Sequence, residues 1–345
     1  PAEFFEKAVI DADGTLAAVL DRLRAVDVDQ LPAGWVLGRR WDEHNWHERP
    51  DDWRGELDRL FPKTPACLHR VDHHAIICNS EALRRGGYID GSDDGSPGGR
   101  AVRDADGRLT GMLVDEAMDP VLEAIPPSDE AEDRRMYLQA AETFRAHGIT
   151  CAHIARTEVD RIGMVRQMHR DGGLPLRMYL IADGEDDALG EVLEGGPIHD
   201  PEAELSVGGV KYFADGALGS QGALLLDDYR DGGVGLEVTG PDVLERHARE
   251  LLGSGWQMAV HAIGDRGARN VLDAFAACAP EARSRLRPRL EHAQMLTDED
   301  VGRIGTLSTV ASIQPIHMYS DAAWADDVLD AEQLDRLFRW RDLRR

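Results

Sequence analysis

Lysine is nearly missing from this chain. Only Lys7, Lys63 and Lys211 occur, against 39 lysines and arginines together, so almost every positive charge is a guanidinium. The balance is strongly acidic, with 64 Asp and Glu and a formal charge of −25. A general negative field repels phosphates, which argues against nucleic acid and anionic membrane as partners. No apolar run approaches the ~18 to 20 residues that a membrane span needs. Cysteine is scarce as well. Cys67, Cys78, Cys151 and Cys278 show neither CxxC spacing nor a disulfide framework, and apolar settings such as "TPACLHR" and "GITCAHIA" indicate buried free thiols in a reducing, cytoplasmic compartment. No G-x-G-x-x-G follows a strand-like run, which weakens a dinucleotide-binding reading. The first residues, "PAEFFEKAVIDADGTL", lack an initiating Met and read as the start of a fragment or trimmed product.

What is present is an alternation. "SDEAEDRRMYLQAAETFRAHG" reads as a helix, with Ser128 as N-cap, Glu130 and Glu132 in the first turn and Gly148 at its close. "ITCAHIA", "LPLRMYLIA", "VGGVKYFADG", "WQMAVHAIG", "RPRLEHAQ" and "STVASIQPIH" then read as six strands separated by helix-like segments, the pattern of βα units and a parallel sheet. Doubly wound sheets and (β/α)₈ barrels share this pattern. Chemistry-bearing residues at the ends of several different strands (Lys211, His261, His292 and Gln314) favour the barrel, an α/β TIM-barrel fold. Residues 1–125 differ: two strand-like runs, "GWVLGRRW" and "ACLHRVD", stand among Gly, Asp and Pro-rich connectors. They are expected to be an inserted capping region, and residues 126–345 the barrel segment.

His261 and His292 end consecutive strands, where a parallel barrel would turn both toward one opening. Taken singly, each reads first as a hydrogen-bonded core histidine rather than a ligand. Lys211 ends a buried run before a Gly-rich turn, and alone could be a lysine snorkelling to water. Glu291, next to His292, is expected to point away from the opening by strand alternation. Asp215, at the end of the lysine's strand, and Asp265 read as structural or supporting carboxylates. Asn79 and Ser80 read as helix caps, and Trp41, Asp42 and Trp46 either line a pocket or pack a small core.

Together, "GWVLGRRWDEHNW", "RVDHHAIICNSEAL", "GVKYFADGALGSQGA", "WQMAVHAIGDRGARNVLDAF", "RPRLEHAQMLTDED" and "VASIQPIHMYSDAAWA", in that order, resemble the amidohydrolase superfamily of metal-dependent hydrolases, in its YtcJ-like branch that includes N-substituted formamide deformylase. The resemblance implies hydrolysis of a non-peptide C–N bond in a small amide, formamide or cyclic amide by metal-activated water. It implies a divalent metal, zinc by default, held by Lys211 as a CO₂-derived carbamate, by His261 and by His292. It places His74, Gln314, His317 and Trp41 at the substrate, and it admits a homodimer. An arginine could not replace Lys211, because guanidinium stays protonated and forms no such carbamate.

Two departures stand out. None of the 13 histidines lies two positions from another, so the His-x-His of barrel strand 1 is missing. No strand-8 aspartate is reached, and Asp321 follows the strand-7 segment too closely for that role. In "RVDHHAIICNSEAL", His73 replaces the family's usual glycine before His74. The expectation is therefore an arc of six strands from a barrel lacking strands 1 and 8. The alternatives are a catalytically impaired binding or regulatory relative, or an inactive fragment.

Overall fold

The computed structural model describes residues 10–344 apart from 13, 32–33, 44–45, 47–51, 90–97, 128 and 199–203, together with all described side chains except those of Gln30 and Glu132. Ser128, the expected N-cap, and the Glu132 side chain therefore lie outside the described residues. Two compact units divide the chain. One comprises Pro1–Ser128, Ala217–Gly222 and Ala323–Ala325, the other Asp129–Gly216, Ala223–Ala322 and Asp326–Arg345.

The first unit holds a mixed sheet of six strands: β1 (Ile10–Asp11), β2 (Val36–Trp41), β3 (Ala66–Arg70), β4 (Ala75–Cys78), β5 (Gly99–Arg103) and β6 (Leu109–Asp115), in the order β1-β2-β3-β4-β6-β5. The first three are mutually parallel and the rest antiparallel. Helices α1 (Leu16–Arg24), α2 (Trp53–Leu60), α3 (Ser80–Arg85) and α4 (Asp119–Glu123) accompany it. Only β2 and β3 were expected from the sequence. The other strands escape a periodicity reading because they are short or half-buried and rich in Gly and Arg, as in "GRAVR". A core of Trp35, Leu37, Cys67, Ile76, Cys78 and Leu113 lies against this sheet.

The second unit carries the six expected strands: β7 (Cys151–Thr157), β8 (Arg177–Asp183), β9 (Leu205–Phe213), β10 (Gln257–Ala262), β11 (Arg289–His292) and β12 (Val310–Ser312). They pair in strict chain order and all in parallel, as half of a barrel wall would. The intervening helices are α5 (Glu130–Ala146), α6 (Val159–Arg170), α7 (Leu189–Glu194), α8 (Pro241–Ser254), α9 (Asp265–Ala276), α10 (Pro280–Leu286), α11 (Asp298–Thr306) and α12 (Pro315–Asp321). In α8 the buried Leu244, Ala248, Leu251 and Leu252 recur at helical spacing, Pro241 opens the first turn, and Gly255 at φ +94° ends it. In α9 the same spacing buries Ala268, Val271, Leu272 and Phe275. These faces pack on Val210, Tyr212, Met258, Val260, Ala262 and Leu290, one side of the sheet. Each fully buried large apolar side chain contributes roughly 1.5–3 kcal/mol, so this helix-facing layer fixes which strand residues are left for the opposite face.

Three cysteines are buried as expected, but Cys151 is exposed. It lies on β7, an edge strand of the described sheet, and Ala152 and Ile154 take the helix-facing positions. The expected last strand is also shorter than its run: β12 stops at Ser312, and His317 lies within α12 because Pro315 opens a helix there. Among the described residues no helix is long and apolar enough to cross a membrane.

Candidate functional site

Parallel register fixes the face that carries chemistry. Val210 and Tyr212 face the helices, so Lys211 and Phe213 take the other side of β9. Lys211 pairs with Ala259 and Phe213 with His261, and His261 pairs in turn with Glu291. Lys211, Phe213, His261 and Glu291 therefore share one face. Leu290 occupies the helix side, which corrects the expectation for Glu291: its carboxylate lies on the Lys211 side, buried, and receives the Arg289 Nε–H at 2.6 Å.

Regular alternation would send His292 to the helix side, opposite Ala262. Its backbone instead adopts φ +74° and the next residue φ +45°, and the ring lies 4.5 Å from that of His261, edge to face. Two imidazoles from consecutive strands thus meet through a backbone irregularity of the kind that concentrates at functional sites. His317 stacks on His292 at 5.6 Å, so α12 adds a third ring.

Hydrogen bonds assign the tautomers. His261 Nε2 lies 3.1 Å from the Gly216 carbonyl, which can only accept, so Nε2 carries the proton and Nδ1 the lone pair. Asp215 Oδ1 lies 3.5 Å from the same Nε2. His292 Nδ1 meets Gln314 Oε1 at 2.7 Å. Gln314 Nε2 donates to the Ser312 carbonyl, which fixes the amide's orientation, so His292 Nδ1 is the donor and Nε2 holds the lone pair.

Asp215 organises this corner. It is fully buried and accepts from the backbone N–H groups of Leu224 (2.9 Å), Ile263 (3.0 Å) and Gly264 (2.8 Å). A Cβ on Gly267 would come within 2.5 Å of its carboxylate, so the helix after β10 must begin with a residue lacking a side chain there. Asp265 likewise accepts from Leu226 N–H and pairs with Arg336. Both carboxylates support loops, as the sequence suggested.

Lys211 is buried at 4% exposure, and its Nζ sits 3.5 Å from the centre of the Phe213 ring, which is itself 5.3 Å from His261. Phe213, a residue that sequence reasoning missed, thus touches both. Burial pushes the Lys211 amine from 10.5 down to about 7; nearby Arg156 lowers it further, while Glu291, Asp183 and Glu185 oppose the shift. Arg156 is held by Asp183 at 2.6 Å. Arg289, also missed, bonds Glu291, Ser312 and His153.

The donor chemistry suits a metal in part. Among the described residues no three His, Cys, Asp or Glu side chains converge closely enough to hold an ion. The rings of His261 and His292, 4.5 Å apart, bring two imidazoles to one face, and the third nitrogen donor on that face is the low-pKa amine of Lys211.

His74 and Trp41 belong to the first unit. His74 Nδ1 lies 2.6 Å from Asp115 Oδ1, and Asp115, at φ +49° and ψ −129°, occupies backbone space that glycine favours. Trp41, expected at the substrate, is a core residue: it is 2% exposed, donates its indole N–H to the Leu68 carbonyl and stacks near Trp46. Its ring offers a ligand almost no surface. Asp42 is one of three carboxylates, with Glu43 and Asp72, around the buried Arg70. Asn79 caps α3 as expected.

A model of the "Amidohydrolase family" matches residues 9–345. "Putative amidohydrolase YtcJ" of Bacillus subtilis (strain 168) is 33% identical over 347 residues, 97% of this chain and 63% of that protein. "N-substituted formamide deformylase" of Arthrobacter pascens is 28% identical over 293 residues, 81% of this chain and 53% of that protein. The crystal structure of an uncharacterized metal-dependent hydrolase from Pyrococcus horikoshii OT3 superposes with a TM-score of 0.70 at 22% identity, covering 99% of this chain and 66% of that one; it shares the fold. The chain thus spans between about half and two thirds of the length of these relatives.

Proposed function

The chain belongs to the amidohydrolase family, and from that premise we propose that it contributes the metal-binding wall of a hydrolase that splits a non-peptide C–N bond in a small amide, formamide or cyclic amide. The observation that carries this reading is the His261–His292 ring pair, 4.5 Å apart at the ends of consecutive strands, with Lys211 on the same face. The formamide deformylase relative supports the substrate class.

In this reading His261 Nδ1, His292 Nε2 and Lys211 hold a divalent ion, zinc by default for mixed nitrogen and oxygen donors. Such an ion acidifies water and polarises a substrate carbonyl. The chain's own residues do the rest. Gly216 and Gln314 hold the two imidazoles in complementary tautomers. An amine near 7 is substantially neutral at physiological pH, and the neutral amine is the species that adds CO₂, so Lys211 is prepared to become a carbamate and an oxygen donor. Glu291 and Asp183 lie within electrostatic reach of it. His317, stacked on His292, and Gln314 orient the substrate beside the pair. Residues 1–125 form the inserted region and 126–345 the barrel segment.

A second reading, a catalytically impaired binding or regulatory relative, is favoured by the lack of any converging trio of His, Cys, Asp or Glu among the described residues. One set of measurements separates the two. Zinc-reconstituted protein is expected to retain at least one metal per chain by elemental analysis and to show the mass of one CO₂ adduct on Lys211 by native mass spectrometry. Lys211→Arg, His261→Asn and His292→Asn are each expected to lose metal and turnover of formamide probes while keeping the far-ultraviolet circular dichroism of the parent. Metal retained in full by all three variants would refute the ligand assignment; metal bound by the parent with no turnover would favour the binding protein.

A further inference from the structure

The hairpin of β3 and β4 sets two thiols against each other. Cys67 and Cys78 are direct register partners in this antiparallel pair, a relation hidden in the sequence, where no CxxC or paired spacing announces it. The neighbouring bonds define the kind of pair. Ala66 stands opposite Asn79, and the Asn79 N–H donates to the Ala66 carbonyl at 3.1 Å. Hydrogen-bonded and non-hydrogen-bonded pairs alternate along an antiparallel ladder, so Cys67 and Cys78 form a non-hydrogen-bonded pair. In such pairs the Cα atoms approach to about 4.5 Å and the side chains leave the same face, within the roughly 4.4–6.8 Å that a disulfide spans. Both residues are fully buried, in a core with Trp35, Leu37 and Ile76. Burial, and then contact with Cys67, pushes the Cys78 thiol well above its ordinary pKa.

We propose that Cys67 and Cys78 are a reversible disulfide site, closed by a peroxide-class oxidant. In the balanced step one thiol, as its thiolate, attacks the peroxide O–O bond to give a sulfenic acid and one water. The second thiol then attacks that sulfur, forms the S–S bond and releases a second water. The two sulfurs together lose two electrons, the peroxide gains them, and both thiol protons leave in water. The bond staples the hairpin whose turn carries Asp72, His73 and His74, and so fixes the register that sets His74 beside Asp115. Because both thiols are buried, closure waits on local opening of the hairpin, and exposed Cys151 reacts first.

The test removes that competitor. Full-length Cys151→Ser protein, which retains Cys67, Cys78 and Cys278, is held under native conditions with hydrogen peroxide or with diamide, a thiol-specific oxidant. It is then denatured in alkylating agent for thiol counting and non-reducing peptide mapping. Two of the three thiols are expected to disappear, to return with dithiothreitol, and to map to a single linkage of Cys67 to Cys78, with Cys278 still alkylatable. Mapping of the oxidised parent protein is expected to give the same linkage, which keeps the result independent of how the variant folds. Three intact thiols, a linkage through Cys278, or separate sulfinic acids at Cys67 and Cys78 would overturn the proposal.

Discussion

Asp215 and Asp115 are buried carboxylates with opposite effects on stability. Asp215 offers its charge to three backbone N–H groups in a site closed to water. Asp215→Asn keeps the shape but turns one oxygen into a donor facing those donors. A buried group left without its partner costs about 1–3 kcal/mol, so we expect a loss of about 2–4 kcal/mol, read as a lower urea midpoint at unchanged slope. Asp115 reverses the sign. Its backbone sits at φ +49°, its Oδ1 meets His74, and among the described residues its buried Oδ2 has no hydrogen-bond partner. Such backbone strain is worth on the order of 1–3 kcal/mol. Asp115→Gly is therefore expected to raise the thermal midpoint while releasing His74 Nδ1, so that nitrogen-resolved NMR finds His74 in mixed tautomers where the parent shows the Nδ1–H form. A lower midpoint would show that the carboxylate is held by more than His74.

Single elements hang on single caps, and Asn79 is the clearest case. Fully buried, its Oδ1 accepts from Ala82 N–H at the start of α3 and from Ala66 N–H at the start of β3, while its Nδ2 donates to the Phe61 and Thr64 carbonyls. Asn79→Ala deletes the cap and strands partners on three segments, an expected cost of about 3 kcal/mol. Asn79→Asp keeps both acceptors but sets an oxygen against two carbonyls, and should be no better; chemical denaturation of the two variants checks this. The cap was legible because a lone Asn before "SEALRR" is a local signal. The six parallel strands were legible for a similar reason, since each is an apolar run bounded by turn residues and separated by a helix-period segment. What was not legible depended on pairing or on backbone shape. Cys67 faces Cys78 only through hairpin register, Trp41 is core because Trp46 stacks on it and Arg70 lies over its ring, Glu291 joins the His261 face through strand register, and His292 reaches its expected side only through a positive φ that composition does not announce.

For the whole molecule the formal charge of −25 and pI near 4.8 set the background for every pH effect. Acidification toward the pI relieves self-repulsion and should stabilise the fold. His69 works the other way. Burial above all, with His73 beside it adding, holds its pKa at about 3, against 6.5 when unfolded. Between those values the unfolded chain binds a proton that the folded one does not, so stability rises with pH across the window and is lost as pH falls from 6.5 toward 3. The histidine effect amounts to about 1.4 kcal/mol per pH unit at most and is local, whereas the charge term is screened beyond ~3 Å at about 1 M salt. Salt therefore separates them. In about 1 M NaCl the parent is expected to lose roughly 1–2 kcal/mol of urea stability between pH 6.5 and 5, while His69→Phe, which keeps a ring in that site, is expected to show a flatter profile. At low salt the two terms oppose, and both profiles should shift toward greater stability at pH 5. Parallel profiles for parent and variant at high salt would mean that His69 is protonated in the folded chain and that the acid response comes from elsewhere.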